Sequence, residues 1–246
     1  MRRVSKASAA RDWEKRATQA SRRLRGPSKF LPNIWSEVKG GLYEAQGRKC
    51  CYCESRVEER YNDVEHFRPK STYWWLAYEL KNLFFSCANC NRGKGDNFPV
   101  SGRRLAKRRL PWFRSAWRQE AALIICPDGL EGALPEDHVT FRQVGGRWLI
   151  VGLSPRGKAT IKACQLDRDD LNLLRQEHVS DVLEPALLRW KVARPSERRR
   201  REKELCDHAH PQRRFSGLAL AFLRHHGVLL AQDGTAATLA SPLGSR

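Results

Sequence analysis

Two C-x-x-C pairs, Cys50/Cys53 and Cys87/Cys90, constrain this chain more tightly than any other feature. Each pair presents two thiols from one tight turn, and a tetrahedral ion such as Zn²⁺ takes four ligands of that kind. Residues 54–86 separate the pairs, a longer gap than a simple zinc ribbon uses, so a folded unit must occupy it. A site filled by four protein sulfurs leaves no position for water, which makes such a metal scaffold and not catalyst. Cys51 interrupts the pattern, and the i,i+3 spacing makes Cys50 the ligand and Cys51 a bystander. Cys126, Cys164 and Cys206 lack a close partner and read as small core residues. Buried apolar cysteines or a redox pair are the competing readings, and they account less well for paired spacing.

Thiols serve metals where conditions are reducing. No stretch approaches the ~20 apolar residues of a spanning helix. The basic start, Met1-Arg2-Arg3-Val4-Ser5-Lys6, runs on to Arg11, Glu14, Lys15 and Arg16 without the apolar segment of a secretory signal. The expectation is a cytoplasmic protein with no membrane association. Charge then narrows the partners. Against 27 Asp and Glu stand 46 Lys and Arg, a net +19. Such a surplus favours polyanions, nucleic acid first, because each neutralised phosphate frees a counterion. Solubility alone, or adhesion to RNA without chemistry, reads equally well from charge. A hydrophobic fraction of 41% with eight tryptophans supports a buried core and excludes a wholly disordered chain.

Along the chain, residues 1–34 form a basic arm, with a helix expected between Asp12 and Leu24 and breaks at Pro27 and Pro32. That arm reads either as solvated or as folding against nucleic acid or a partner. Trp35, Val38, Leu42 and Ala45 recur at helical spacing and lead into the first knuckle. A helix is also expected over Trp74–Leu80. Residues 103–118 interleave arginines with Trp112, Phe113 and Trp117, a pattern that can contact phosphates and stack on bases, or can simply be core and wet face. Ala121–Cys126 reads as a strand entering a turn. Val139–Val144 and Arg147–Val151 flank Gly145-Gly146 as a β-hairpin. Past Pro155, Ile161, Cys164, Leu171, Leu174, Val182 and Leu183 suggest one or two amphipathic helices, with Asp167 or Asp169 as a cap. The run Arg198–Lys203 reads as the exposed face of another helix, and residues 231–246 as a disordered tail.

Between the knuckles lies the chemistry: Val64-Glu65-His66-Phe67-Arg68-Pro69-Lys70, then Asn82-Leu83, then Cys87-Ala88-Asn89-Cys90-Asn91-Arg92-Gly93-Lys94. Phosphodiester hydrolysis needs a base for water, a divalent cation against the scissile oxygens, and cations to hold the strand. His66 has the titration range of a base at neutral pH. Glu65 and the Asn91 carbonyl are hard oxygen donors of the kind Mg²⁺ takes. Asn82 can orient the imidazole or tie the hairpin. Arg68, Lys70, Arg92 and Lys94 are candidate phosphate contacts. Taken singly, His66 and Asn82 would read as ordinary hydrogen-bonded residues; the ordered set between two knuckles is what points to chemistry.

The order of these elements resembles the HNH, or ββα-metal, endonuclease family, over about a fifth of the chain. The resemblance implies a zinc-pinned ββα-metal core at 35–102; with the mainly helical flanks, including an accessory region at 103–230, and the small β-hairpin read above, the expected fold is α+β. It implies His66 as general base supported by Asn82, Glu65 and Asn91 on a catalytic Mg²⁺ or Mn²⁺, and Cys50, Cys53, Cys87 and Cys90 on structural zinc. Glu before the histidine, where Asp is commoner, and Asn at the third signature position depart from the usual pattern. Within the family, Lys49–Glu54, Val64–Lys70, Asn97-Phe98-Pro99 and Leu166–Arg175 look like the Septu-type, PtuB-like components, which also occur with retron-linked systems. That narrower resemblance implies an anti-phage nuclease acting on DNA, or on RNA, beside an ABC-type ATPase subunit. The alternative is a zinc-stabilised nucleic-acid-binding or adaptor protein without catalysis.

Overall fold

The computed structural model describes residues 1–4, 13–24, 26, 30, 32–106, 114–129 and 134–228. The expected tail at 231–246, residues 5–12 of the basic arm and residues 107–113 of the arginine-aromatic stretch lie outside the described residues. Helices α1 (Trp13–Arg23) and α2 (Pro32–Ala45) precede the first knuckle. Strands β1 (Asp63–His66) and β2 (Leu83–Ser86) pair antiparallel and are followed at once by α3 (Ala88–Lys94). This is a ββα unit.

The register explains how the unit is embedded. Asp63 faces Ser86, Val64 faces Phe85, Glu65 faces Phe84 and His66 faces Leu83. Residues directly opposite share a face of the sheet, and successive residues alternate. Val64, Leu83 and Phe85 accordingly join a core made with Trp13, Ala17 and Ala20 of α1 and Val38 and Leu42 of α2. Phe84 joins the larger core on the other face, with the knuckle cysteines and the downstream half of the chain. The outer edge of β2 is closed by a side chain. Gln46 donates to the Phe85 carbonyl and accepts from the Phe85 N–H, each at 2.9 Å.

Downstream come α4 (Arg114–Glu120), α5 (Pro135–His138) and a second hairpin, β3 (Val139–Val144) with β4 (Arg147–Gly152), as its Gly-Gly turn predicts. Helices α6 (Pro155–Ala163), α7 (Asp169–His178), α8 (Glu184–Lys191), α9 (Pro195–Asp207) and α10 (Ser216–His225) complete the described chain. Most of Arg198–Lys203 is exposed on α9, and α10 has no counterpart among the sequence expectations.

Three expectations need correction. Trp74–Leu80 is not an α-helix but two single 3₁₀ turns, Trp74–Leu76 and Leu80–Asn82. The carbonyls of Leu76 and Ala77, which an α-helix would bond to residues 80 and 81, accept instead from the Asn82 side chain and meet the His66 ring. Ala121–Cys126 forms only one bridge, Val100 to Ala122; Ile124, Ile125 and Cys126 are buried outside any strand, and the Ile125 N–H goes to Thr160 Oγ1 at 2.9 Å. Neither Asp167 nor Asp169 caps α7. Arg168 takes the N-cap position with no side-chain cap, and Asp169 and Asp170 fall in the first turn, where they complement the helix dipole.

Candidate active site

The knuckles come first because they place everything else. The Sγ atoms of Cys50, Cys53, Cys87 and Cys90 all lie within 4.8 Å of one another, and all four residues are buried. Zinc–sulfur bonds of ~2.3 Å in a tetrahedron put sulfurs ~3.8 Å apart, and Cys53 and Cys87 are 3.8 Å apart. The donor set thus fits a metal such as zinc. As free thiols the four share protons unevenly. Burial opposes ionising Cys50, yet hydrogen bonds from its neighbours carry its pKa well down, while Cys90 is pushed well up. Four thiolates crowded this closely call for a cation. Cys51 is buried outside the cluster, its N–H bonded to the Phe85 carbonyl at 3.1 Å.

Cys87 begins α3, its sulfur accepting from the Cys90 N–H, and the helix then runs back along β1. Asn91 reaches Asp63, its Nδ2 donating to Oδ2 at 3.0 Å. One turn later Lys94 reaches the far end of the strand, where Nζ lies 2.6 Å from Glu65 Oε1 and 3.1 Å from the His66 carbonyl. Tyr52 OH also donates to Glu65 Oε1, at 3.2 Å. Burial pushes the Glu65 pKa up in spite of Lys94 and Tyr52.

His66 closes β1 and is 7% exposed. Its Nε2 lies 3.0 Å from the Ala77 carbonyl. A carbonyl only accepts, so Nε2 carries the hydrogen and Nδ1 keeps the lone pair. Trp35 of α2 meets the imidazole edge-on at 5.1 Å and stacks on Tyr78 at 5.5 Å. Burial first, then the charges of Lys70 and Lys94, bring the His66 pKa to about 3 against the pull of the Ala77 bond. The imidazole is therefore neutral at physiological pH but a weaker proton acceptor than the unperturbed histidine the sequence suggests.

The expected residues are gathered around one strand, but not all in the expected way. Asp63 and Glu65 face α3, whereas His66 shares the α2 face with Val64; Lys94 links the two faces through the Glu65 carboxylate and the His66 carbonyl. Asn91 touches Asp63, not Glu65. Asn82 is wholly buried and ties the connection between the strands: Oδ1 accepts from the Arg68 N–H at 2.8 Å, and Nδ2 donates to the Arg68 carbonyl at 3.0 Å. Its Nδ2 also donates to the Leu76 carbonyl at 3.3 Å, beside the Ala77 carbonyl that meets the His66 ring. Of the four basic candidates, Lys70 and Arg92 reach solvent, with the Lys70 ammonium 5.6 Å from the Trp35 ring centroid. Arg68 and Lys94 are interior. Arg68 is paired with Glu120 of α4 at 2.8 and 2.5 Å, where Tyr73 OH also donates at 2.6 Å.

Sequence reasoning missed Asp63, Trp35 and Glu120. The alternation Asp63-x-Glu65 on one strand carries a signal for the first; Trp35 and Glu120 come from helices far along the chain and leave no local trace.

Residues 50–97 match the HNH endonuclease family model, so the ββα unit and its knuckles form an HNH domain. Similarity to known proteins extends beyond that domain. It is 31% identical to Septu protein PtuB of Bacillus mycoides (strain KBAB4), over 59% of this chain and 52% of that protein. It is 44% identical to Septu protein PtuB of Bacillus thuringiensis, over 27% of this chain and 28% of that one. Septu protein PtuA of the same Bacillus mycoides strain is 26% identical over 54% of this chain and 19% of its own length. The chain thus spans about half, or less, of the curated relatives it matches. No solved structure gives a significant match.

Proposed function

We propose that this protein is a metal-dependent endonuclease that cuts nucleic acid, DNA in preference to RNA, as the nuclease subunit of an anti-phage defence system. The observation that carries the reading is His66, held within the HNH-matched segment with its Nε2 hydrogen committed to Ala77, which leaves Nδ1 as the proton-accepting atom. In this reading Nδ1 removes a proton from water, the water oxygen attacks phosphorus in line, and the 3′ oxygen leaves. Glu65 and Asn91, with Asp63 beside them, offer oxygen donors that would hold Mg²⁺ or Mn²⁺, and such a cation would supply positive charge to the phosphate as the bond breaks. To hold a cation, Glu65 would have to give up the Lys94 ammonium that now sits on Oε1. Asn82 is a positioning residue, and Lys70 and Arg92 hold the strand. The four-cysteine site holds zinc as a frame.

The similarity to proteins named Septu PtuB and Septu PtuA supports a component of a Septu-like assembly, with an ABC-type ATPase as partner. No helix among the described residues is long and apolar enough to cross a membrane.

His66→Ala tests the assignment. It should abolish Mg²⁺-dependent nicking of plasmid DNA while zinc content and DNA binding stay near wild type; retained cleavage refutes the role given to His66. A binding module without catalysis draws support from the existing Glu65–Lys94 and Asn91–Asp63 pairs. That reading requires DNA binding indifferent to Mg²⁺ and no product from the wild-type protein.

A further inference from the structure

A metal bound by four thiolates raises a question of charge. Zn²⁺ with four thiolates carries a net −2, and here the sulfurs are buried. A buried charge is costly unless something of opposite sign lies close. The same problem with the opposite sign appears nearby. Arg175, on α7, is 1% exposed. Its Nη1 donates to the Leu166 carbonyl at 2.5 Å and to Asn172 Oδ1 at 3.2 Å, and the guanidinium lies 5.1 Å from the Phe141 ring centroid. Nε of Arg175 is buried and has no hydrogen-bond partner. None of these neighbours is an anion. Burial lowers its pKa to about 10 against the opposing charges of Cys53, Glu54 and Cys90, and Glu54 is already paired with Lys49 at 3.2 Å.

Two residues before α7 reaches Asp170, Arg168 does more than approach the cluster. Its Nη1 donates to Cys90 Sγ at 3.6 Å and to the Gln165 carbonyl at 3.0 Å, with a side chain only 18% exposed. The turn that delivers it packs directly on α3: a Cβ on Gly93 would lie 3.3 Å from the Gln165 side chain and 3.6 Å from the Ala163 carbonyl.

We infer that α7 supplies the counter-charge of the zinc site, Arg168 through an N–H···S bond to Cys90 and Arg175 as a second buried cation on the same helix. Two guanidinium charges match the −2 of the tetrathiolate. The inference rests on the zinc reading of the four cysteines. It makes Arg168 and Arg175 positioning residues of the metal, and it makes docking of α7 depend on the metal being present.

The test uses the full chain as purified, with metal content measured first; a wild type holding no zinc would defeat the zinc reading itself. Given one zinc per chain, zinc is titrated against a chromophoric chelator in wild type, Arg168→Met, Arg168→Lys and Arg175→Met. Arg168→Met should bind zinc about 10- to 100-fold more weakly, the usual cost of losing an outer-shell partner, with Arg168→Lys in between. In Co²⁺-substituted protein, the sulfur-to-cobalt charge-transfer band should shift in Arg168→Met and stay put in Asp170→Asn, which alters only the exposed partner of Arg168. Arg175→Met should destabilise the zinc-loaded protein more than the chelated protein. If Arg175→Met does not fold, Arg168→Met decides. Wild-type zinc affinity together with an unshifted band in Arg168→Met would overturn the inference.

Discussion

The two ends of the β1–β2 hairpin are finished in opposite ways. At the Asp63–Ser86 end, four soft sulfurs close on a single point, and backbone N–H groups and Arg168 point at them. At the His66–Leu83 end, each polar group is held by a different partner: His66 by Ala77, Glu65 by Lys94 and Tyr52, Asn82 by Arg68. The first end fits an ion with its coordination complete; the second offers hard donors engaged with protein groups that a substrate or cation has to displace. The difference separates permanence from exchange, and α3 spans both, with Cys90 at one end and Lys94 at the other.

The largest effect that would sharpen this contrast lies at the closed end. Chelating the metal, or Cys53→Ala, should remove stabilisation on the order of 10 kcal/mol, because metal binding is coupled to folding; loss of the cooperative thermal transition is the readout. At the other end, His66→Ala should lower the cleavage rate by about 10²- to 10⁴-fold while that transition survives. If His66→Ala instead released the metal, the two ends would not be separable. Glu120→Gln leaves the buried Arg68 charge without its carboxylate and should cost about 3–5 kcal/mol in urea unfolding.

Acid should act on the open end next. The folded-state pKa of His66, about 3, lies below the ~6.5 of an unfolded histidine. Between those values the unfolded chain takes up a proton that the native state refuses. This contribution to stability is complete above pH ~6.5 and falls on acidification by about 1.4 kcal/mol per pH unit. His66→Asn should flatten that part of the profile. An unchanged slope would show that the imidazole is not held neutral by its surroundings. The smallest effect belongs to exposed Arg92. Arg92→Ala should leave stability within about 0.5 kcal/mol of wild type and reduce the salt slope of DNA binding by about 0.9.

The closed end was legible in the sequence because a C-x-x-C turn is local and needs only its own few residues. The hairpin at 139–152 was legible for the same reason, since Gly145 and Gly146 both adopt positive φ at its turn. The open end was legible as a set of residues but not as a set of contacts. Arg68 reads as a phosphate ligand until Glu120, 52 residues away, takes it into the interior. Lys94 likewise belongs to Glu65. Trp74–Leu80 carries a helical pattern, but its residues divide between two cores, Leu76 on one face of the hairpin and Trp74, Ala77 and Tyr78 on the other. Periodicity reports which residues are apolar and says nothing of which neighbour claims a backbone carbonyl.

Gln46 bonds both backbone groups of Phe85, and Trp35 roofs the imidazole, yet neither residue belongs to the matched segment 50–97. Glu120 and Arg168 reach in from the opposite side of that segment. Cut out on its own, the segment would lose the Gln46 cover on Phe85, keeping only the Cys51 N–H on its carbonyl, and would admit solvent around His66. The smallest piece worth expressing is therefore set by these four outside residues and not by the boundaries of the signature.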